Sequence, residues 1–572
     1  MQLSNIPKRW FCGRRLKIIL VFVVAISAFV TGIRWGLPQA ANPETVQPWA
    51  LDTIAPIAPL NEAYYGFTRS GNEYVVYPLF HYVVLSVAYA PYVGLQLLNG
   101  NLAVPSSTFP YGLVDIVRAC QDLTLIARGV SLLMALGIIC LVFKMTDRLV
   151  GRSAALWATL CASLIAPLSY YAKTSNLDVP YAFWVCLAIW RFLHILDRQN
   201  LKDYLLFGGF TALAVATKDQ AYGFFVLAPF VLAYARARSL SIPGDVSLWQ
   251  WCVALLSKPM ILGGASALFF YAAANNLFFG GLDGLLRHLS YGSDIYDYRL
   301  TTESAFYSIA SQVQLLGQSG VILLQILAPV SLGLAIFGIV CAVRERNWKL
   351  LSLLTFIVSY YVFVIAVFNL VFARYLLVPS ILLTPFIGLG IMRLPVKVFR
   401  WRAASASIVA LAMLSQLALV VDVNLSLIAD SRKTMGSWIH QNVKPGAVIE
   451  SQVRERMLPY ISTDYNVSIA GNSGDPITML VVPEDLTPAA LVARNPDYIL
   501  ILEGLGVTGD PAAWTTPSLR AYYQDLISGG LGYDIVADFE TPHIFPFRQI
   551  PGTRPRSILL ARSSGSGKQQ SP

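Results

Sequence analysis

The sequence carries little charge for its length. Charged residues make up 13% of the 572 residues and hydrophobic residues 56%, whereas a soluble globular protein has about 25% charged residues. This shortage excludes a chain that is soluble throughout. The hydrophobic residues fall in blocks of about 17–25 residues, the length that a helix needs to cross a bilayer. The blocks stop at Val421, and the composition from Asp422 onward is that of an ordinary globular domain.

Cysteine is scarce, and the C-terminal part has none. No two cysteines show the CxxC spacing, which excludes a disulfide framework and a metal-type cysteine pair. The C-terminal part also has no phosphate-binding loop, nucleophile elbow or metal motif. The net charge of +10 does not indicate nucleic-acid binding, because the positive excess lies beside the hydrophobic blocks. We therefore predict membrane lipids, and no nucleic acid, as partners.

The hydrophobic blocks predict an α-helical polytopic membrane protein with about eleven transmembrane helices. The predicted spans are Leu16–Ile33, Leu125–Phe143, Ser153–Leu168, Val179–Leu196, Tyr204–Ala216, Ala221–Ala235, Met260–Phe279, Val321–Val343, Leu350–Phe368, Tyr375–Met392 and Ala403–Val421. One alternative stays open, in which residues 204–235 form a single kinked span.

The positions of the basic residues predict the orientation. With the N-terminus in the cytoplasm, most of the Lys and Arg residues fall at cytoplasmic helix ends, for example Lys144–Arg152, Arg344–Lys349 and Arg393–Arg402. This puts the C-terminal part on the extracytoplasmic side, and a bacterial inner membrane is the favoured location. Two long outer loops, 34–124 and 280–320, are expected to have a function because of their length.

Three regions are predicted. Residues 1–422 form the membrane domain, 423–562 an extracytoplasmic α/β domain and 563–572 a disordered tail. Within the α/β domain we predict strands at 447–451, 479–482, 498–502 and 557–561, and helices ending at 443 and covering 518–528. Within the first outer loop, the apolar and aromatic stretch Tyr77–Tyr92 is predicted to be a helix in the membrane interface rather than a further span.

Acidic residues just outside the membrane are the first candidates for chemistry. Asp52 lies in PWALDTIAPIAPL, and Asp178 lies at the outer start of the fourth span. Each also has a structural explanation, since Asp178 precedes Val179-Pro180 as an N-cap residue would. The second outer loop holds a further group of charged residues, namely Asp283, Arg287, His288, Asp294, Asp297 and Glu303. Acids in a solvated loop most often have no catalytic role.

Four other residues stand out at the predicted outer face. Lys218 interrupts an apolar stretch, and ionisable residues at such a depth are often functional; a solvent-facing turn explains it equally well. Arg374 starts a span, where it would either bind a lipid phosphate or anchor the helix. His81 and Tyr77 belong to the predicted interfacial helix, where packing is the commoner role.

Several stretches together resemble the integral-membrane glycosyltransferases of the GT-C fold. The family with the most similar motifs includes the protein O-mannosyltransferases and the lipid A aminoarabinose transferases. The stretches that carry the likeness are PWALDTIAPIAPL, VVYPLFHYVVL, ARGVSLLMALGIICLVFKMTDRLVG, YYAKTSNLDVPYAFW with AVATKDQAYGFFVLAP, and FARYLLVPSILLTP with DSRKTMGSWIHQNVKPGAVIE. The sequence departs from the family pattern twice, with Thr53 after Asp52 and with Leu79 in place of a second proline after Pro78.

The resemblance implies an inverting transfer of a hexosyl or pentosyl group from a polyprenyl-phosphate donor to an acceptor hydroxyl. It implies Asp52 as the residue that accepts the hydroxyl proton, with Asp178, Lys218, His288, Arg287, Arg374, His81 and Tyr77 as supporting or binding residues. The acceptor (lipid, polysaccharide or protein) is left open. Metal use is also left open, with Asp52 and Asp178 as the candidate ligands.

Two other classes of function stay open from the residues alone. A secondary transporter or lipid flippase would have a similar composition, but such proteins often show internal repeats, and we find none. An inactive relative that serves as a scaffold would look the same as the enzyme. Loss of activity on replacing Asp52 would separate the enzyme from the scaffold, and gradient-dependent movement of substrate would favour the transporter.

Overall fold

The computed structural model describes residues 8–39, 45–68, 77–106, 108–240, 246–280, 286, 308–395, 399–453, 455–461, 464–471, 483–503, 517–548, 550 and 552–563. These residues fall into two compact units. Unit 1 contains described residues of 1–33, 57–91 and 126–421, and unit 2 those of 34–56, 92–125 and 422–572. Unit 2 therefore contains two stretches of the predicted first outer loop as well as the C-terminal part of the chain.

Helices make up most of the chain before residue 430. They are α1 Lys8–Val30, α2 Ala58–Thr68, α3 Phe80–Leu98, α4 Ile116–Leu149, α5 Arg152–Ser163, α6 Ala166–Tyr171, α7 Asp178–Arg198, α8 Leu201–Val215, α9 Tyr222–Phe225, α10 Ala228–Leu240, α11 Leu248–Leu255, α12 Lys258–Ala274, α13 Leu277–Gly280, α14 Ile309–Leu327, α15 Pro329–Arg344, α16 Trp348–Leu351, α17 Leu353–Tyr360, α18 Ala366–Phe368, α19 Leu377–Arg393 and α20 Phe399–Ile428. A 3₁₀ turn, Asp219–Ala221, precedes α9, and a π-helical turn, Tyr361–Ile365, links α17 to α18.

The described helices include six that are long and apolar enough to cross a membrane, or seven if the bent pair α11 and α12 forms one span. Three shorter apolar helices lie at 16–30, 329–344 and 377–393. The chain is therefore an integral membrane protein, and the predicted helical class is confirmed. α3 is among the six by length and composition, so its assignment to the membrane interface stays a prediction.

Four predicted spans, Ser153–Leu168, Ala221–Ala235, Met260–Phe279 and Val321–Val343, are each divided between two helices in the structure. Val321–Val343 is not one helix, because the chain breaks at Ala328, which has a φ of 60°, and Pro329 starts a new helix. Gln312 of α14 donates to the carbonyl of Ala366, at the outer end of a predicted span, whereas α15 ends at Arg344, in a predicted cytoplasmic group of basic residues. By length and composition α14 alone could cross a membrane, and α15 is a shorter apolar helix.

Helix α19 forms the core of unit 1. Its residues from Leu377 to Ile391 are all buried. Two glycines allow α15 to approach it closely: a Cβ atom on Gly338 would lie 1.9 Å from the carbonyl oxygen of Phe386, and one on Gly390 would lie 2.3 Å from that of Leu334. Small residues at such contacts let helix backbones pack tightly in membranes.

The hydrogen bonds and ion pairs at the helix ends separate into two groups. Ends predicted to be cytoplasmic contact one another, through Arg148 and Lys349 with Asp197, and through Arg393 with Glu345. Ends predicted to be outside contact one another as described below for the candidate site. The grouping agrees with the alternation of spans predicted from the sequence, and the side of the membrane that each group faces stays a prediction.

The C-terminal part of unit 2 is an α/β fold. Its helices are α21 Ser431–Asn442, α22 Pro488–Arg494 and α23 Pro517–Ile527, and its strands are β1 Val448–Ser451, β2 Asn466–Ile469, β3 Tyr498–Glu503, β4 Tyr533–Glu540 and β5 Arg556–Arg562. The sheet order is β2-β1-β3-β5-β4, with β1 parallel to β2 and β3 and with β5 antiparallel to β3 and β4. Apolar clusters cover both faces of the sheet. The predicted α/β class is confirmed.

Candidate functional site

The starts and ends of several helices meet in unit 1. The carboxylate of Asp178, at the start of α7, accepts a hydrogen bond of 2.8 Å from Nζ of Lys218, which follows α8. The backbone N–H of Phe80, at the start of α3, donates to the carbonyl of Ala216, and Leu79 donates to the side chain of Asn275 after α12. Gln220 donates to the hydroxyl of Tyr375, just before α19. These contacts place the beginnings of α3, α7 and α19 beside the ends of α8 and α12.

Asp178 and Lys218 form a buried ion pair. The side chain of Asp178 is 3% exposed and that of Lys218 is 9% exposed. The ammonium group also lies 5.4 Å from the ring centre of Tyr181, within the range of a cation–π contact. Tyr171, Tyr181 and Tyr360 are close enough to Asp178 to interact with its charge. The ion pair therefore has tyrosine side chains of three different elements near it.

The loop before Asp178 is buried although it is polar. Lys173, Thr174, Ser175 and Asn176 are all at most 2% exposed. Nζ of Lys173 donates to the carbonyls of Ala28 and Thr31, at the end of α1, with distances of 2.7 and 2.8 Å. Burial lowers the pKa of Lys173 to about 7. The lysine therefore ties the C-terminal end of α1 to the loop that ends at Asp178, and lysines are favourable at helix C-termini.

Asp52 belongs to unit 2 and has different surroundings. Its side chain is exposed, and its backbone adopts the left-handed conformation with a φ of 54°. A non-glycine residue in this region is uncommon, although Asp tolerates it better than most. Such a conformation persists only where neighbouring contacts hold it, and it often marks a functional position.

Trp49 supplies such contacts three residues earlier. Its indole N–H donates to the carbonyl of Leu458 at 3.0 Å, and its ring stacks on Tyr460 at 4.3 Å. On the other side, the guanidinium of Arg432 lies 4.0 Å from the ring centre. Arg432 is itself held by two hydrogen bonds to the carboxylate of Asp430, at 3.0 and 2.8 Å. The segment that carries Asp52 is therefore anchored to the start of α21.

The other predicted site residues have varied positions. His81 is buried in the first turn of α3, and Tyr77 is half-buried before that helix. Arg374 lies 5.3 and 5.5 Å from the ring centres of Phe372 and Tyr375. Arg287, His288 and the acids of the second outer loop lie outside the described residues. The contacts above thus join Asp178 to Lys218, and they bring the start of α3, which carries His81, and the turn before α19, which carries Arg374, to the same place.

The sequence interpretation missed several members of the site. Lys173 and the tyrosines around Asp178 were not singled out, although the polar run KTSN between two apolar stretches was a usable signal. The support of Asp52 by Trp49 and Arg432 joins residues almost four hundred positions apart, which no local pattern predicts.

The described residues do not form a metal site. Metal ions held by carboxylates need several oxygen ligands, and no group of three or more His, Cys, Asp or Glu residues lies together in the part of the chain that the structure describes. Asp178 is already matched by the ammonium of Lys218. We therefore derive no chemical step through a metal ion.

One protein-family model matches part of this chain, and nearly all of the matched residues belong to unit 1. Residues 120–257 match the model of the dolichyl-phosphate-mannose-protein mannosyltransferase family. This stretch holds the Asp178–Lys218 pair and three of the motifs quoted above. The match confirms the resemblance to this class of membrane glycosyltransferases that the sequence predicted. No match is found among curated proteins.

Three solved structures show distant likeness, each at 13% identity. ArnT from Cupriavidus metallidurans, bound to undecaprenyl phosphate, covers 99% of this chain and 100% of its own, with a TM-score of 0.43. The match to the oligosaccharyltransferase AglB from Archaeoglobus fulgidus, in complex with an inhibitory peptide and a dolichol-phosphate, covers 84% of this chain and 69% of AglB, with a TM-score of 0.40. The match to the arabinofuranosyltransferase AftD from Mycobacteria covers 99% of this chain and 40% of AftD, with a TM-score of 0.38.

Proposed function

We propose that this protein is a membrane glycosyltransferase that moves a sugar from a polyprenyl-phosphate donor to an acceptor hydroxyl on the extracytoplasmic face. The observation that carries the proposal is the match of residues 120–257 to a family named for a dolichyl-phosphate-mannose donor, because that stretch contains the buried Asp178–Lys218 pair. Mannose, or another hexosyl or pentosyl group, is the proposed cargo, and a lipid, polysaccharide or protein is the acceptor.

The proposed reaction is a direct displacement. The acceptor oxygen forms a bond to the anomeric carbon, while the bond from that carbon to the phosphate oxygen breaks and its electron pair leaves with the lipid phosphate. The carboxylate of Asp52 accepts the proton of the hydroxyl, a role for which an exposed carboxylate is suited. Attack opposite to the leaving group inverts the anomeric centre.

Negative charge develops on the leaving phosphate, so fixed cations nearby accelerate the reaction. Lys218 is our first candidate, because Asp178 holds its ammonium group in one place. Arg374 is the second, because its planar guanidinium can bind two phosphate oxygens. Arg287 and His288 stay predictions from the sequence. Tyr77 and His81, at the start of α3, are proposed to lie along the lipid at head-group depth.

The orientation is proposed from the basic residues. A cytoplasmic N-terminus and an extracytoplasmic unit 2 follow from the positive-inside rule, and the contacts among helix ends support one common side for Asp178, Lys218 and Tyr375. A bacterial inner membrane is the proposed location.

The test is transfer by the purified full-length protein in nanodiscs, with a panel of polyprenyl-phosphate sugars that includes mannose. Wild type, Asp52→Asn and Asp525→Asn are compared, since Asp525 is an exposed acid of unit 2 that the mechanism does not use. Transfer by wild type and Asp525→Asn, lost in folded Asp52→Asn, is the expected result. Equal transfer by all three would remove Asp52 from the mechanism, and no transfer with any donor would contradict the proposed activity.

A further inference from the structure

A short apolar loop in unit 2 lies beside the end of a membrane helix. The loop has the sequence Pro542-His-Ile-Phe-Pro-Phe-Arg548, which we name the PF loop. Asp422 follows directly after the apolar run of α20 that ends at Val421. The backbone N–H of Ile544 donates to the carboxylate of Asp422 at 2.6 Å. The tip of the PF loop is therefore at the level where the apolar part of α20 ends.

The PF loop presents apolar side chains to its surroundings. Ile544 is 51% exposed, Pro546 is exposed, and Phe545 and Phe547 are half-buried. The two phenylalanine rings stack on each other at 5.4 Å. The two apolar clusters that cover the sheet do not include these four residues. Neighbouring apolar residues with exposed surface can form an interaction site.

One N–H and two carbonyls of the loop are hydrogen-bonded to side chains of unit 2. Nη1 of Arg554 donates to the carbonyls of Phe545 and Phe547, at 2.7 and 2.8 Å. Arg554 is also ion-paired with Asp422 and donates to the hydroxyl of Ser426 on α20. Pro546 has no N–H to satisfy. Backbone groups that are already hydrogen-bonded within the protein can approach an apolar medium more easily than unpaired ones.

We propose that the PF loop is a membrane-contacting element that inserts Ile544, Phe545 and Phe547 into the interface of the leaflet at the outer end of α20. The partner is the lipid surface and not another protein, because Asp422 fixes the loop at the point where the same chain leaves its apolar span. Arg548, exposed at the end of the loop, would face the phosphate groups of the lipids. The proposal does not depend on the glycosyltransferase activity.

The test uses the full-length protein in nanodiscs of phosphatidylethanolamine and phosphatidylglycerol. A photoreactive benzophenone amino acid is placed at position 544, at 547 or, as the matched control, at 492. Val492 is an apolar residue of unit 2 that is 75% exposed and lies on α22. Covalent lipid adducts are counted by mass spectrometry of the intact protein and of its peptides.

We expect lipid adducts at 544 and 547 to exceed those at 492 by at least roughly tenfold, because interfacial apolar side chains are buried among acyl chains and head groups. Adduct yields at 544 and 547 equal to the yield at 492 would overturn the proposal. Cross-links from 544 to another part of the chain would overturn it too, since they would show that the protein itself covers the loop. Positions 544 and 492 are exposed and 547 is half-buried, so the folding of each variant is checked by its elution from size-exclusion chromatography.

Discussion

The two candidate carboxylates differ in almost every physical respect. Asp178 in unit 1 is buried, paired with Lys218 and surrounded by tyrosines, whereas Asp52 in unit 2 is exposed in a left-handed turn. A buried charge needs its partner, because removing one member leaves the other unpaired in a medium of low polarity. An exposed carboxylate keeps its capacity to bind a proton from a substrate. In the proposed mechanism, Asp178 therefore positions the ammonium group of Lys218, and Asp52 accepts the proton of the acceptor hydroxyl.

The largest expected effect is on the rate of transfer. Asp52→Asn should lower kcat by about 10²–10⁴-fold, the usual contribution of a general base, with little effect on thermal unfolding because the side chain is exposed. Initial rates and the unfolding temperature are measured on the same preparation. An Asp52→Asn protein with a lowered unfolding temperature and the kcat of wild type would reverse the roles assigned to the two acids.

The second effect is on stability. Asp178→Asn or Lys218→Met alone should destabilise the protein by about 3–5 kcal/mol, because each leaves one buried charge without its partner. The double variant should lose less than the sum of the two single variants, since it leaves no unpaired charge. The stability of wild type, the two single variants and the double variant is measured by thermal unfolding in detergent. Strict additivity would show that the two side chains do not act as a pair.

A smaller effect tests the support of Asp52. Trp49→Phe keeps a ring between Arg432 and Tyr460 but loses the hydrogen bond to Leu458, which should cost about 1 kcal/mol. We expect kcat to fall by less than for Asp52→Asn, with KM for the donor unchanged. A rate equal to that of wild type would mean that the turn holds its conformation without this bond.

The last prediction concerns the dependence of stability on pH. The pKa of Lys173 is lowered by burial to about 7 in the folded protein, and that of a lysine in the unfolded chain is about 10.4. The unfolded chain therefore binds more protons between these values, and folding stability rises with pH in that window. Lys173→Met lacks this titration. The unfolding temperature of wild type should rise relative to that of Lys173→Met between pH 7 and about 9, and a constant difference would contradict the assignment.

The predictable part of the fold was the part with a strong periodic signal. Long apolar blocks predicted helices such as α7 and α19 to within two residues at each end, because hydrophobic length is a property of the local sequence. The break at Ala328 was missed, since Pro329 lies inside a continuous apolar run. Strand β4 was missed because its acidic residues, such as Asp534 and Asp538, lie on an exposed edge strand and interrupt the apolar pattern.

The candidate site was predictable only as separate residues. Asp178 and Lys218 each stood out as charges beside apolar stretches, but their pairing depends on how α7 and α8 pack, which a single sequence does not encode locally. The anchoring of Trp49 by Arg432 and Tyr460 depends on the same kind of long-range packing. The predicted strand at 479–482 lies outside the described residues.

The complete enclosure of α19 limits where a lipid substrate can travel. Every residue from Leu377 to Ile391 is buried within the protein. This part of the helix therefore does not contact the acyl chains of the bilayer. A long isoprenoid tail, which must stay among those chains while its head group reacts, has to run along the outer helices instead. The buried helix α19, which begins just after Arg374 and Tyr375, is thus closed to lipid, and the tail of the proposed donor is expected to contact other helices.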